Sequence, residues 1–238
     1  MYQVVQLSGY AGRAAQRSGL KSRARHHRKE PHGICITITR MKAFSAALAL
    51  ACALMTTVMA QELSGTALVE ALKRGGYVLV MRHAASPRET PDAKTANPDN
   101  TARERQLDET GRATATAMGE ALRRLAIPIG QVFTSPTYRA RETVRFLSLK
   151  DAMPIEELGD SGRSMQAAGD AQAGWLQKTV ARAPMGNTLV ITHQPNVARA
   201  FPNASDIADG EALIFHPDGK GGTMLVARVK IEEWSRLR

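Results

Sequence analysis

Cysteine is nearly missing from this 238-residue chain, which holds two, Cys35 and Cys52. Both precede the part that patterns as a folded domain, so a disulfide scaffold and thiol chemistry are excluded there. Long hydrophobic runs are missing too. The longest uninterrupted apolar stretch, Ala46 to Met55, falls short of the roughly 20 residues a membrane-spanning helix needs. Acidic residues are scarce at the start: Met1 to Arg40 holds Glu30 alone against eight Lys/Arg, a net of +7, with no apolar period. Such a stretch reads as unstructured. No internal repeat is visible.

The segment after this basic stretch has the layout of a secretory signal peptide. Met41-Lys42 begins it, an apolar run from Ala43 to Met59 is broken only by Ser45 and Thr56-Thr57, and Val58-Met59-Ala60 precedes Gln61. Met41 is therefore the expected start, and cleavage near Ala60 sends the chain to the periplasm or the outside. Lipidation at Cys52 is disfavoured because Ala49, three positions back, is not branched.

The whole chain carries a net charge of +10, which by itself suggests nucleic acid as a partner. Removing Met1 to Ala60 takes away nine basic residues and one acidic residue, leaving 23 and 21, a net of +2. The nucleic-acid signature disappears, and His26, His27 and His32 leave with the leader. The expected organisation is a basic segment over 1–40, a signal peptide over 41–60 and one domain over 61–238. Those last 178 residues suffice for one core and are too few for two comfortable ones.

Tyr77 to Met81 is a continuous apolar run, the pattern of a strand buried on both faces, preceded by a short helix from Leu68 to Arg74. Ala84 to Arg105 is polar and proline-punctuated, a long loop of the kind that carries function. Asp108 caps a helix running to Leu125, Gln131 to Thr134 is a strand, and Ser135-Pro136 starts a helix through Leu147 with Ser135 as its cap. Met153 to Leu158 is an expected edge strand and Met165 to Arg182 a helix. Thr188 to Thr192 is a buried strand, and Gln194-Pro195 opens a further helix. Ala212 to Phe215 and Met224 to Ile231 are closing strands joined by a turn at Pro217 to Gly222. This alternation predicts an α/β fold, a three-layer α/β/α sandwich with a mostly parallel central sheet. Trp175, Trp234 and His216 read as structural residues.

Ligands in open α/β folds bind beyond the carboxyl ends of the strands. Arg82-His83, Thr134-Ser135 with Arg139, and Thr192-His193 stand at those ends. Two imidazoles and two guanidiniums converging there, with no acid among them, make a site for an anion, and arginine forks suit phosphate. A metal is disfavoured, because the arginines repel a cation and no carboxylate or thiolate completes a ligand set. Helix starts at Ser135-Pro136 and Gln194-Pro195 add free N–H groups at the same mouth.

Val80-Met81-Arg82-His83-Ala84 resembles the Arg-His-Gly/Ala signature of the histidine phosphatase (phosphoglycerate mutase-like) superfamily. Arg105 to Gly111 resembles its helix-start segment, Ser135 to Ala140 its second arginine motif, and Ile191 to Pro195 its second histidine motif. Gly210-Glu211-Ala212 is similar to the late strand of its small members, so the likeness runs from about Tyr77 to Val229.

That resemblance implies the phosphoglycerate mutase-like fold and His83 as a nucleophile that becomes phosphohistidine, with Arg82, Arg139 and His193 holding the phosphate oxygens. It implies no cofactor and no metal. Neighbouring positive charge keeps His83 neutral, and a backbone carbonyl accepting its other N–H would fix the tautomer. Ser86 is either a further phosphate donor or a turn residue. The family's acid near the leaving group has no motif here; Glu156, Glu157, Asp160 and Glu211 are candidates, each more simply read as a solvated charge. The expected activity is a secreted, metal-independent phosphatase acting on an ester, anhydride or phosphohistidine, with a small phosphorylated substrate or envelope component as partner. The alternatives are a noncatalytic phosphate-ligand receptor and a mutase-type phosphotransferase.

Overall fold

The computed structural model describes residues 62–160 and 169–238. The expected basic segment, the signal peptide with its cleavage point, and the first turn of the helix expected from Met165 lie outside the described residues. Helices α1 (Gly65–Arg74), α2 (Glu109–Arg124), α3 (Tyr138–Leu147), α4 (Asp170–Val180) and α5 (Gln194–Ala200) alternate with strands through most of the chain. The strands are β1 (Val78–Arg82), β2 (Ile129–Thr134), β3 (Met153–Pro154), β4 (Asn187–Thr192), β5 (Ala212–Pro217) and β6 (Thr223–Val229).

They form one sheet in the order β3-β2-β4-β1-β5-β6. The first four strands run parallel, and β5 and β6 add antiparallel at one edge. The expected α/β sandwich with a mostly parallel sheet is the observed fold. Because strand side chains alternate between faces, β1 feeds two cores. Leu79 and Met81 meet residues of α1, α2, α3 and the closing 3₁₀ turn Ile231–Arg236, where Trp234 is fully buried. Val78 and Val80 meet α4 and α5 on the other side. Trp175 packs edge-on against Phe133 at 5.4 Å, and His216 lies inside β5 against Tyr77 at 4.9 Å.

Asn187 pins the lower end of the sheet. Its amide donates to Leu72 O at 2.7 Å and Pro128 O at 2.9 Å, while its Oδ1 accepts from Tyr77 N. With the lower ends pinned, the register at the upper ends is set: Arg82 pairs with Thr192, and Thr134 with Ile191. The residues after these three strands therefore emerge side by side.

Two expected elements differ from those observed. Met153 to Leu158 is not one strand, since only Met153–Pro154 pairs and a 3₁₀ turn comes next at Glu156–Leu158; Pro154 has no N–H, which confines it to an edge. Ser135 does not cap α3. The helix begins at Tyr138 after Thr137, and Pro136 lies in the approach, so the Ser135 hydroxyl is free for other use. Asp108 does cap α2, accepting from Gly111 N at 2.7 Å. Among the described residues no helix is long and apolar enough to cross a membrane.

Candidate active site

At the carboxyl ends of β1, β2 and β4 lies a cavity of about 520 Å³, and Arg82, His83, Arg139 and His193 all line it. The structure thus brings together all four residues expected from the sequence. His83 comes directly after β1 and is buried, as are Arg139 and His193, while Arg82 is half-buried. The rings of His83 and His193 stand 5.3 Å apart, edge to face.

The His83 tautomer is set by its partners. Its Nδ1 lies 2.8 Å from Ala84 O, a pure acceptor, so Nδ1 carries the proton. Its Nε2 accepts from Arg139 Nε at 3.1 Å. Ala84 is itself held, since its N–H donates to the Thr143 hydroxyl, which in turn donates to Arg139 O. Thus the same turn of α3 that carries Arg139 also fixes the backbone beneath His83. Burial pushes the proton affinity of His83 well below the ordinary histidine range, with His193, Arg139 and Arg82 adding to it. The ring is neutral with a lone pair on Nε2.

His193 is neutral too, by burial first and then by the charges of Arg139, Arg105 and Arg82. Its Nδ1 accepts from Arg139 Nη2 at 3.1 Å, so its Nε2–H donates to Ser135 Oγ at 2.8 Å. Arg139 therefore touches both imidazoles. Ser135, expected as a helix cap, is instead the orienting partner of His193, and it also accepts from Thr137 N.

The mouth is not free of acid, contrary to expectation. Asp160 pairs with Arg139 Nη2, and Asp209 pairs with Arg82 at 2.6 Å. Asp160 is placed there because Asn196 and Thr192 bond the carbonyls of Leu158 and Gly159, tying the chain after β3 to the end of β4. Of the four candidate acids, Glu156 and Glu157 are exposed outside the cavity. Glu211 is a buried structural acid bonded to Arg228 and Ala208 N rather than a solvated charge. Arg88 and Asp209 line the cavity without having been singled out, and so does Arg105, which heads the segment resembling the family's helix start but was given no role in the site; all three sit in aperiodic loops. Ser86 lines the cavity as well, its hydroxyl 3.3 Å from Pro87 O. Among the described residues no group of three or more His, Cys, Asp or Glu could hold a metal ion.

Residues 78–160 match the sequence model of the Histidine phosphatase superfamily (branch 1). Over that stretch the chain is similar to the histidine phosphatase superfamily. No curated protein sequence matches it. Among solved structures, the protein histidine phosphatase SixA complexed with tungstate is similar at 19% identity and a TM-score of 0.47, covering 65% of this chain and 97% of that one. Bacillus stearothermophilus YhfR shares 19% identity at a TM-score of 0.42, covering 63% and 94%. A phosphoserine phosphatase from Entamoeba histolytica in complex with phosphoserine shares 9% at a TM-score of 0.45, covering 66% and 98%. The family match over residues 78–160 supports phosphatase activity in the general sense.

Proposed function

We propose that the protein is a metal-independent phosphatase, exported to the periplasm or beyond, that works through a phosphohistidine on His83. One observation carries the reading: His83 is a buried neutral imidazole whose Nδ1–H is committed to Ala84 O, leaving the Nε2 lone pair beside Arg139. That is the protonation state an in-line nucleophile needs.

In the first step the Nε2 lone pair attacks phosphorus, the P–N bond forms, and the bond to the leaving atom breaks with its electron pair. Arg82 and Arg139 hold the equatorial oxygens as their charge redistributes, and His193 faces the same group. In the second step a water oxygen attacks phosphorus and the P–N bond breaks, returning the lone pair to His83. The substrate is a phosphate ester, anhydride or phosphohistidine, either small or part of a phosphorylated envelope component. No cofactor takes part.

Rapid acid-free quenching with labelled substrate is expected to trap an acid-labile, base-stable phosphoenzyme in the parent and none in His83→Ala. A folded His83→Ala protein that turns over at the parental rate would remove His83 from the chemistry. Undiminished turnover in chelator is expected, and loss restored by one added metal would overturn metal independence. Mass spectrometry of exported protein should find a chain beginning near Gln61.

A further inference from the structure

We propose that the mouth of the cavity is a polyol subsite in which Asp209 and Gln194 read hydroxyl groups of the leaving group, so that the substrate is the phosphate ester of a sugar or another polyhydroxylated alcohol. This names a substrate class for the phosphatase reading of the cavity and rests on that reading.

The cavity is lined for a hydrophilic ligand. Among the described residues that line it, Pro195 alone has an apolar side chain. Pockets for aryl, nucleobase or lipid groups are lined mostly by apolar and aromatic side chains. The guanidiniums of Arg82, Arg88, Arg105 and Arg139 stand against the carboxylates of Asp160 and Asp209. That excess of positive charge suits the phosphate and repels a cationic leaving group. Guanidiniums only donate hydrogen bonds, so the acceptors in the wall decide what else is held.

Two side chains offer acceptors to which no described group donates. Asp209 commits Oδ1 to Arg82 Nη2 at 2.6 Å, and its Oδ2 has no hydrogen-bond partner. Gln194 donates from Nε2 to Ser205 O at 2.7 Å, which orients the amide and leaves Oε1 unpartnered. Both line the cavity.

The backbone places Asp209. It stands in the turn Ala208 to Glu211, closed by Glu211 N donating to Ala208 O at 3.2 Å. The buried Glu211 carboxylate accepts from Ala208 N and from Arg228 Nε, each at 2.8 Å. A buried acid with no part in the phosphoryl chemistry thus builds this turn. Gly210 N donates to His83 O at 3.0 Å, and Arg82 Nη1 to Ile207 O at 3.1 Å. The Asp209 carboxylate, 40% exposed, is therefore fixed beside the nucleophile and its arginine while open to the mouth. Its charge reaches Arg105 as well, where burial and then Arg139 lower the proton affinity and Asp209 opposes them. Arg105 itself is held by Pro87 O at 2.6 Å and Ser86 O at 3.0 Å. A carboxylate with one oxygen engaged and one open accepts from a hydroxyl without leaving its arginine, and hydrogen bonds to an ionised acceptor are the stronger kind. Because the turn is already braced, little freedom is lost on binding.

The test compares kcat/KM of the full chain for sorbitol 6-phosphate and hexyl phosphate, which share a primary ester and differ in hydroxyls, with acetyl phosphate and phosphoethanolamine alongside. The parent is expected to prefer sorbitol 6-phosphate over hexyl phosphate by about 10- to 100-fold. Asp209→Ala should shrink that ratio about 10-fold or more, Asp209→Asn, which keeps one acceptor oxygen, by less, and Gln194→Met about 3-fold. A parent ratio near one overturns the proposal, and so does a preference for phosphoethanolamine over sorbitol 6-phosphate. An equal fall for all substrates in Asp209→Ala, with the ratio kept, overturns it too, since Asp209 would then serve only to hold Arg82. Gln194→Met leaves the turn untouched and still reads the subsite where Asp209→Ala does not fold. A parent that hydrolyses none of the esters and no acetyl phosphate defeats the phosphatase reading instead. The subsite is then read by calorimetric titration of the two alkyl phosphates, and equal affinity for them overturns it.

Discussion

Arg139 Nε donates to His83 Nε2 across 3.1 Å, so the lone pair assigned to attack phosphorus is capped by the arginine assigned to hold it. A phosphoryl group entering the mouth offers the guanidinium a charged acceptor in place of a neutral one, and charge-assisted hydrogen bonds are roughly twice as strong. Phosphate binding is therefore expected to draw Arg139 toward phosphate oxygen and free the His83 lone pair.

This coupling gives Arg139→Ala two separate signatures. Turnover should fall about 10²–10³-fold through loss of a transition-state clamp. Arg139 also depresses the proton affinity of His83, so removing it lets that affinity rise and moves the acid limb of the kcat/KM profile to higher pH. A steady-state pH series on parent and variant checks both; an unmoved limb would separate Arg139 from the ionisation of His83.

Ser135→Ala removes the acceptor of the His193 Nε2–H, which is buried beneath the cavity floor. A buried donor left unsatisfied costs about 1–3 kcal/mol, to be read from chemical denaturation. Turnover should fall as well, because the ring loses the partner that orients it, while Ser135→Thr should recover part of both. A variant as stable and active as the parent would show that Arg139 and the Thr137 hydroxyl, 3.4 Å from the same Nε2, suffice to fix His193.

Legibility differed along the chain for physical reasons. β1 and β4 are buried on both faces and read as unbroken apolar runs, so the polar residues that end them, Arg82-His83 and Thr192-His193, stood out. Parallel pairing then requires those ends to be neighbours, and the register supplies it. Asp160, Asp209, Arg88 and Arg105 sit in segments without period, where position depends on side chains distant in sequence such as Asn196 and Glu142. Ser135 shows the same limit at one residue. Its sequence context fits a helix cap, and only the packing of β2 beside β4 sends its hydroxyl to His193 instead.

Gly111 is the closest approach between α2 and the loop after His83. A Cβ added there would lie 2.1 Å from Ala85 O, and neither backbone can retreat cheaply: Asp108 N donates to that same carbonyl, and Asp108 caps the helix. Gly111→Ala should destabilise the fold by about 1–3 kcal/mol as overpacking does. It should also raise KM for phosphate substrates by displacing Ser86 and the carbonyls that hold Arg105. Thermal unfolding together with a KM comparison decides this, and an unchanged KM in a destabilised variant would confine the effect to packing.

The two neutral histidines make stability depend on pH in a direction that can be worked out. Above about pH 6.5, the ordinary histidine value, His83 and His193 are unprotonated in folded and unfolded chains alike and contribute nothing to the slope. Below it the unfolded chain takes up protons on both rings, while the folded chain does not until pH falls to their much lower native values. The unfolded state then binds more protons, so unfolding free energy falls with falling pH, by up to about 1.4 kcal/mol per pH unit for each ring. Carboxylates with lowered values, such as Asp99 and Asp206, act in a separate window near and below about pH 4. Denaturant titrations between pH 7.5 and 5 are therefore expected to show a parent that loses stability steadily below about 6.5. His83→Gln should show a shallower slope, and His83→Gln with His193→Gln a nearly flat one. Added phosphate should stabilise the parent without abolishing the slope, since a bound anion raises both native values but leaves the unfolded ones unchanged. A parent whose stability is level from pH 7 to 5 would mean that the folded site accepts protons on these rings, and the neutral nucleophile would be lost with it.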